Sequence, residues 1–140
     1  MRSLALSGFE QEGDCDDALA KIRPMLIRHK IQYFELSECC PEGTSLIGLL
    51  LSQAQHLASV RFRSIGLRRE GSWHEIFGTM AKALNLTSLE LNFLGRNDGD
   101  CSESLCFEEK IIEDFVLEGG VVIQEGLAKI AKDAIYCDDE

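Results

Sequence analysis

Positive charge is scarce in this chain. Against 24 aspartates and glutamates stand 14 lysines and arginines, a formal net charge of −10 over 140 residues. The basic residues form no run, which argues against nucleic acid and against an anionic membrane surface as partners. An acidic surplus of this kind keeps a protein soluble or draws a basic protein partner. Long apolar runs are missing too. The longest, around Ser45 to Ala54, contains Ser and Gln and is far short of the ~20 residues of a membrane span. The opening MRSLALSGFEQEGDCDD meets acidic residues before any continuous apolar core forms. It does not read as a secretory signal, and a cytoplasmic protein is expected. The six cysteines (15, 39, 40, 101, 106, 137) include no CxxC pair and no Cys/His grouping at zinc spacing. Reduced, buried thiols are therefore expected in place of a metal site or a disulfide framework. Phosphate-binding glycine loops, serine-hydrolase elbows, HExxH and dinucleotide-binding patterns are all absent, so neither an enzyme nor a cofactor is expected.

What the chain does have is a repeat. Five stretches look alike: 1-MRSLALS-7, 31-IQYFELS-37, 57-LASVRFR-63, 86-LTSLELN-92 and 112-IEDFVLE-118. Each opens on an apolar residue (Met1, Ile31, Leu57, Leu86, Ile112). Three positions on comes a second (Leu4, Phe34, Val60, Leu89, Phe115), and two further a third (Leu6, Leu36, Phe62, Leu91, Leu117). Alternation at the centre of each unit is the period of a half-buried strand. A glycine follows in every unit: Gly13, Gly43, Gly71, Gly99 and Gly126. Four of these precede a helix-capping type, namely Asp14, Thr44, Ser72 and Asp100. Segments of helical period come next. Ala18, Leu19, Ile22 and Leu26 share a face, interrupted by Pro24, which should kink that helix. So do Leu46, Ile47, Leu50, Leu51 and Ala54; Ile76, Phe77, Met80, Ala83 and Leu84; and Leu127, Ile130, Ala131 and Ala134. The fourth unit is the weak one, with only Leu105, Cys106 and Phe107 before a run of charge. The chain thus divides into five strand–loop–helix units, approximately 1–30, 31–56, 57–85, 86–111 and 112–140, within one domain of 140 residues.

These triplets and pre-helix glycines resemble the leucine-rich repeat family, in particular its ribonuclease-inhibitor-like class with a true helix in each long repeat. The resemblance implies an α/β solenoid: a curved parallel sheet of about five strands inside, helices on the convex side. At the eighth residue after each opening apolar one, where the family places Asn or Cys, only Cys39 fits. A compact α/β sandwich, with the same strands in one sheet under helices, shares this local structure and differs in curvature. The family uses its concave face to hold proteins. The resemblance therefore implies a non-enzymatic protein-binding module, or, as in other members of the class, a regulator of an enzyme such as a GTPase-activating protein. Arg68 and Arg69 in the loop beyond the third strand are the candidates for that second role.

Alternation along the strands places three rows on the exposed face. They are Ser3, Tyr33, Ser59, Ser88, Asp114; then Ala5, Glu35, Arg61, Glu90, Val116; then Ser7, Ser37, Arg63, Asn92, Glu118. The central row reads as a cross-strand charge ladder, and the whole as a mixed-charge patch with Tyr33 as an amphipathic anchor. The expected partner-binding residues are Tyr33, Glu35, Arg61, Arg63, Glu90, Asn92 and Asp114. A first strand with nothing before it implies an open edge, where the array continues or where a second copy or a partner pairs.

Three smaller motifs read structurally. Trp73 in GSWHEIF should pack under its loop. His29 and His56 end helical segments, where a cation is mildly favoured. In 98-DGDCSESLCFEE-109 the residues Asp98, Asp100, Ser102 and Glu109 have calcium-loop spacing, but Glu103 stands where the turn needs glycine and a strand pattern precedes it. A helix start capped by Asp100 is the better reading, with no metal expected.

Overall fold

The computed structural model describes residues 3–6, 20–21, 24, 30–68, 71–98 and 101–138. The elements run β1 (Ser3–Leu6), β2 (Tyr33–Cys39), α1 (Gly43–Ser52), β3 (Ser59–Leu67), α2 (Trp73–Ala83), β4 (Ser88–Asp98), β5 (Cys101–Phe107), β6 (Lys110–Ile111), β7 (Phe115–Glu118), α3 (Gly120–Asp133) and β8 (Ile135–Asp138). The strands form one mixed, eight-stranded sheet in the order β1-β2-β3-β4-β5-β6, with β7 on β4 and β8 on β5. Helices α1, α2 and α3 pack side by side. Their apolar faces share a core with the inward residues of the strands, and the outward residues of the strands are left open.

Strands β1 to β4 are parallel and pair in the register that the triplets imply. Leu4 lies beside Phe34, Phe34 beside Val60, and Val60 beside Leu89. One row on, Leu6, Leu36, Phe62 and Leu91 are aligned. The opening residues Ile31, Leu57, Leu86 and Ile112 are all buried. A feature that period two does not announce follows the second row. Glu38, Ser64 and Phe93 are left-handed, with φ of 53°, 55° and 52°. They sit at the same level of three adjacent strands, between the aligned residues Ser37, Arg63, Asn92 and the aligned residues Cys39, Ile65, Leu94. Each strand thus carries one extra residue at one shared level, as in a bulge repeated across the sheet. The phase of alternation shifts there, and Cys39, Ile65 and Leu94 turn inward as a further buried row.

Between strands, the helices form as their caps allow. Ser72 accepts from the Glu75 amide at 3.2 Å and starts α2, as its sequence implies. Glu75 in the first turn and Lys82 in the last complement the helix dipole. Thr44 does not cap α1; Glu42 holds that position with no side-chain bond. Gly71 has φ +98°, and a Cβ there would lie 2.7 Å from the Cα of Gly43, so glycine is required on both counts. α1 buries Leu46, Leu49 and Leu50, whereas Leu51, expected inside, is 50% exposed.

Trp73 anchors the centre. It is fully buried, its indole Nε1 donates to the Gly95 carbonyl at 2.7 Å, and its ring joins Phe34, Phe62 and Phe77 in a chain of contacts with centroids 5.5–6.2 Å apart. Its backbone amide donates to the Tyr136 hydroxyl at 3.1 Å, so β8 is tied to the start of α2. His74 reinforces the tie through Nε2 and the Ala134 carbonyl at 2.5 Å.

The solenoid expectation fails in the fourth and fifth units. Residues 101–107 are not a capped helix but strand β5, which pairs antiparallel with the end of β4. β5 turns through Glu108 and Glu109 into β6, and β7 then comes back antiparallel along the first half of β4. The physical reason is the connection. A parallel return needs a crossover of a dozen or more residues, normally a helix. Here the interval holds a hairpin, which delivers the chain from the opposite end. Among the described residues the fold is a single mixed sheet under helices α1, α2 and α3, nearer the sandwich alternative than an array of five repeats. Gly126 also falls elsewhere than expected. It lies inside α3, where a Cβ would meet the Leu117 side chain at 2.4 Å. Of the first helical segment, residues 20, 21 and 24 are helical; Asp14, Asp100, His29 and most of that segment lie outside the described residues. Among the described residues no helix is long and apolar enough to cross a membrane.

Two stability effects follow from this packing. Glu108 and Glu109 occupy the two turn positions of the β5–β6 hairpin at φ 54° and 67°, where Asn-Gly is the favoured pair. Left-handed strain there is ~1–2 kcal/mol per residue. Against glycine's extra chain entropy of ~0.5–1 kcal/mol, Glu109→Gly should stabilise the fold by roughly 0.5–1 kcal/mol, and β-branched Glu109→Val should destabilise it, both read by urea unfolding. Tyr136 supplies the second effect. Burial, chiefly, pushes its hydroxyl above the ordinary value of 10.0, although the Trp73 amide and Arg96 oppose the shift. The neutral phenol is therefore favoured in the folded state. Its contribution is complete below 10.0 and is lost as pH rises through the shifted value. Denaturation followed across the alkaline range should show a loss of stability that Tyr136→Phe reduces, with phenolate absorbance rising in step.

Candidate docking face

The face of the sheet away from the helices carries the residues singled out in the sequence. Ser3, Tyr33, Ser59 and Ser88 lie side by side, as do Ala5, Glu35, Arg61 and Glu90, and above them Ser37, Arg63 and Asn92. The fifth member of each row depends on β7, which is reversed. Reversal about Val116 leaves Val116 opposite Glu90, where the parallel reading put it. It exchanges the flanking residues: Glu118 now pairs with Ser88, and Asp114 meets Asn92, whose Oδ1 accepts from the Asp114 amide at 2.6 Å.

The charge ladder forms. Arg61 Nη1 lies 3.5 Å from Glu35, and Arg61 Nε pairs with Glu90. Its guanidinium is therefore shared between two carboxylates. The side chains stay partly open to water, so the ladder contributes little to stability and mainly fixes the orientation of Arg61. Tyr33 is 55% exposed and Val116 51%; Arg63 and Asp114 are exposed as well. Of the seven expected contact residues, Asn92 alone is withdrawn, at 7% exposure, and serves to hold the β7 approach. From β1 to β7 the face holds a hollow of ≈ 480 Å³ lined by Ser3, Ala5, Tyr33, Ser59, Ser88 and Val116 together with Glu35, Arg61, Glu90 and Glu118.

The left-handed row divides this lower hollow from a smaller one of ≈ 290 Å³ beyond it, bordered by Cys40, Ser64, Phe93, Arg96 and Glu103. Arg96 is paired with Glu103 at 2.6 Å and lies over the Tyr136 ring at 4.6 Å. Phe93, 46% exposed, is the surface residue that sequence reading missed. Strict alternation continued through Asn92 would have sent it inward. The signal available was the spacing of inward residues, i, i+2, i+5 (Phe34-Leu36-Cys39, Val60-Phe62-Ile65, Leu89-Leu91-Leu94).

Other candidates are placed away from this face or are used structurally. Arg68 is buried, with Nε donating to the Cys40 carbonyl at 2.7 Å, so its guanidinium is not presented to a partner; Arg69 lies outside the described residues. Cys39 and Cys106 are buried, and Cys40 and Cys137 are half-buried. Among the described residues no group of three His, Cys, Asp or Glu side chains is arranged to hold a metal. Asp98 and Ser102 of the calcium-spaced segment sit in the paired β4–β5 ladder. No family model matches this chain, and no match to a curated protein or to a solved structure was found.

Replacing Arg61 with Gln tests the modest weight of the ladder. The loss of stability should be under about 1 kcal/mol in low salt and should vanish in high salt. A larger, salt-independent loss would mean that Arg61 is a structural residue.

Proposed function

We propose that this chain is a non-enzymatic protein-docking module whose open sheet face receives its partner. The observation that carries the reading is the two-sidedness of the sheet. One face is roofed by helices over continuous buried rows, while the other exposes Tyr33 and Val116 around a ≈ 480 Å³ hollow. The central strands β2, β3 and β4, each paired on both sides, hold this surface in shape before any contact, which limits the ordering cost of association. An exposed tyrosine beside an aliphatic residue is the composition of an interface anchor, and a ring of polar groups around them suits a rim.

The test is a direct affinity comparison. A protein captured by the wild-type chain, then purified, should bind the wild type and lose about 2 kcal/mol, roughly thirtyfold, against the Tyr33→Ala, Val116→Asp double variant. Lys132→Glu on α3, on the helical side, should leave the affinity unchanged. A partner equally sensitive to Lys132→Glu, and indifferent to the double variant, would move docking off this face.

A further inference from the structure

Resting on the docking reading, we infer that the lower hollow receives a basic, extended segment of the partner, with its lysine or arginine side chains seated among Tyr33, Glu35, Glu90 and Glu118. The hollow fixes the size and shape of what enters. At ≈ 480 Å³ it is far larger than one ion needs and falls within the range of ligand pockets. A pocket for a small molecule, however, encloses most of its ligand, whereas this one opens along the face from β1 to β7. Five strands at ~4.8 Å spacing span about 19 Å, the length of roughly six extended residues. The small serine and alanine side chains in its lining leave room for the side chains of such a segment.

Charge selects the sign. Three carboxylates, Glu35, Glu90 and Glu118, border the hollow against one guanidinium, that of Arg61. That guanidinium is already held between Glu35 and Glu90. An acidic segment would have to break this bridge and face uncompensated carboxylates. A basic one meets a surplus of negative charge and, at the exposed Tyr33 ring, a face suited to a cation. Arg63, the other cation of the open face, belongs to the next row and does not line the hollow. The net charge of −10 adds long-range attraction of the same sign, which speeds encounter and weakens with salt.

Two synthetic peptides of equal length, one alternating arginine with leucine and one alternating glutamate with leucine, serve as probes in an NMR titration of the full chain. The arginine peptide should shift the resonances of Tyr33, Glu90 and Val116, bind more weakly as salt rises, and lose at least tenfold in affinity on Glu90→Gln, Glu118→Gln, a variant of one half-buried and one exposed side chain whose fold the same spectra check. If the glutamate peptide takes the hollow instead, or the arginine peptide binds the variant equally well, the basic-segment assignment is overturned while docking on this face stands. If neither peptide perturbs these residues, and the purified partner also ignores Tyr33→Ala, Val116→Asp, both readings fall together.

Discussion

One backbone constraint organises this molecule: a left-handed residue at the same level of three adjacent parallel strands. Glu38, Ser64 and Phe93 take positive φ without being glycine, at a cost of ~1–2 kcal/mol each. The cost is offset by what lies on either side. Below them, two rows of Phe, Leu and Val pack under the helices. Above them, Cys39, Ile65 and Leu94 do the same. Without the extra residue, strict alternation would send that further row to the solvent side and bring Phe93 inward. Because all three strands make the shift together, their pairing resumes in register beyond it.

The same shift shapes the open face. Below the left-handed row that face is regular, and side chains from adjacent strands meet as neighbours; the Glu35–Arg61–Glu90 ladder depends on that. At the row, pairs of consecutive residues (Arg63 and Ser64, Asn92 and Phe93) approach the same side, and the surface rises between two hollows. Meanwhile the helical side closes around Trp73, whose indole answers the Gly95 carbonyl inside the core. A well-packed back and a contoured, solvent-exposed front are a division of labour suited to recognition, and this underlies the docking proposal.

Much of this was legible in the residues, for reasons that are local. The triplets located β1 to β4 and their register, because half-buried strands must alternate and parallel neighbours must align their apolar rows. Ser72 announced α2 by its capping chemistry. The rows of the open face followed from the same alternation, and even Val116 fell opposite Glu90, since a strand reversed about its middle residue keeps that residue in place. What was not legible was non-local. Residues 101–107 have few apolar positions, so nothing in their pattern separated a weak helix from a strand completed by β4 and β8. The direction of β7 is decided by that hairpin, and nothing in the pattern of 112–118 itself reveals it. Gly126 read as a glycine preceding a helix, whereas it lies inside α3 facing the Leu117 side chain. Asn92 read as a contact residue and is instead a tie to Asp114, visible only once β7 is reversed.

The shared left-handed level is the claim on which the rest turns, and backbone φ angles from NMR couplings and chemical shifts measure it directly. Positive φ at Glu38, Ser64 and Phe93 together is the expected result. Extended values at these residues would place Cys39, Ile65 and Leu94 on the wrong side of the sheet and would contradict both the core and the face described for this protein.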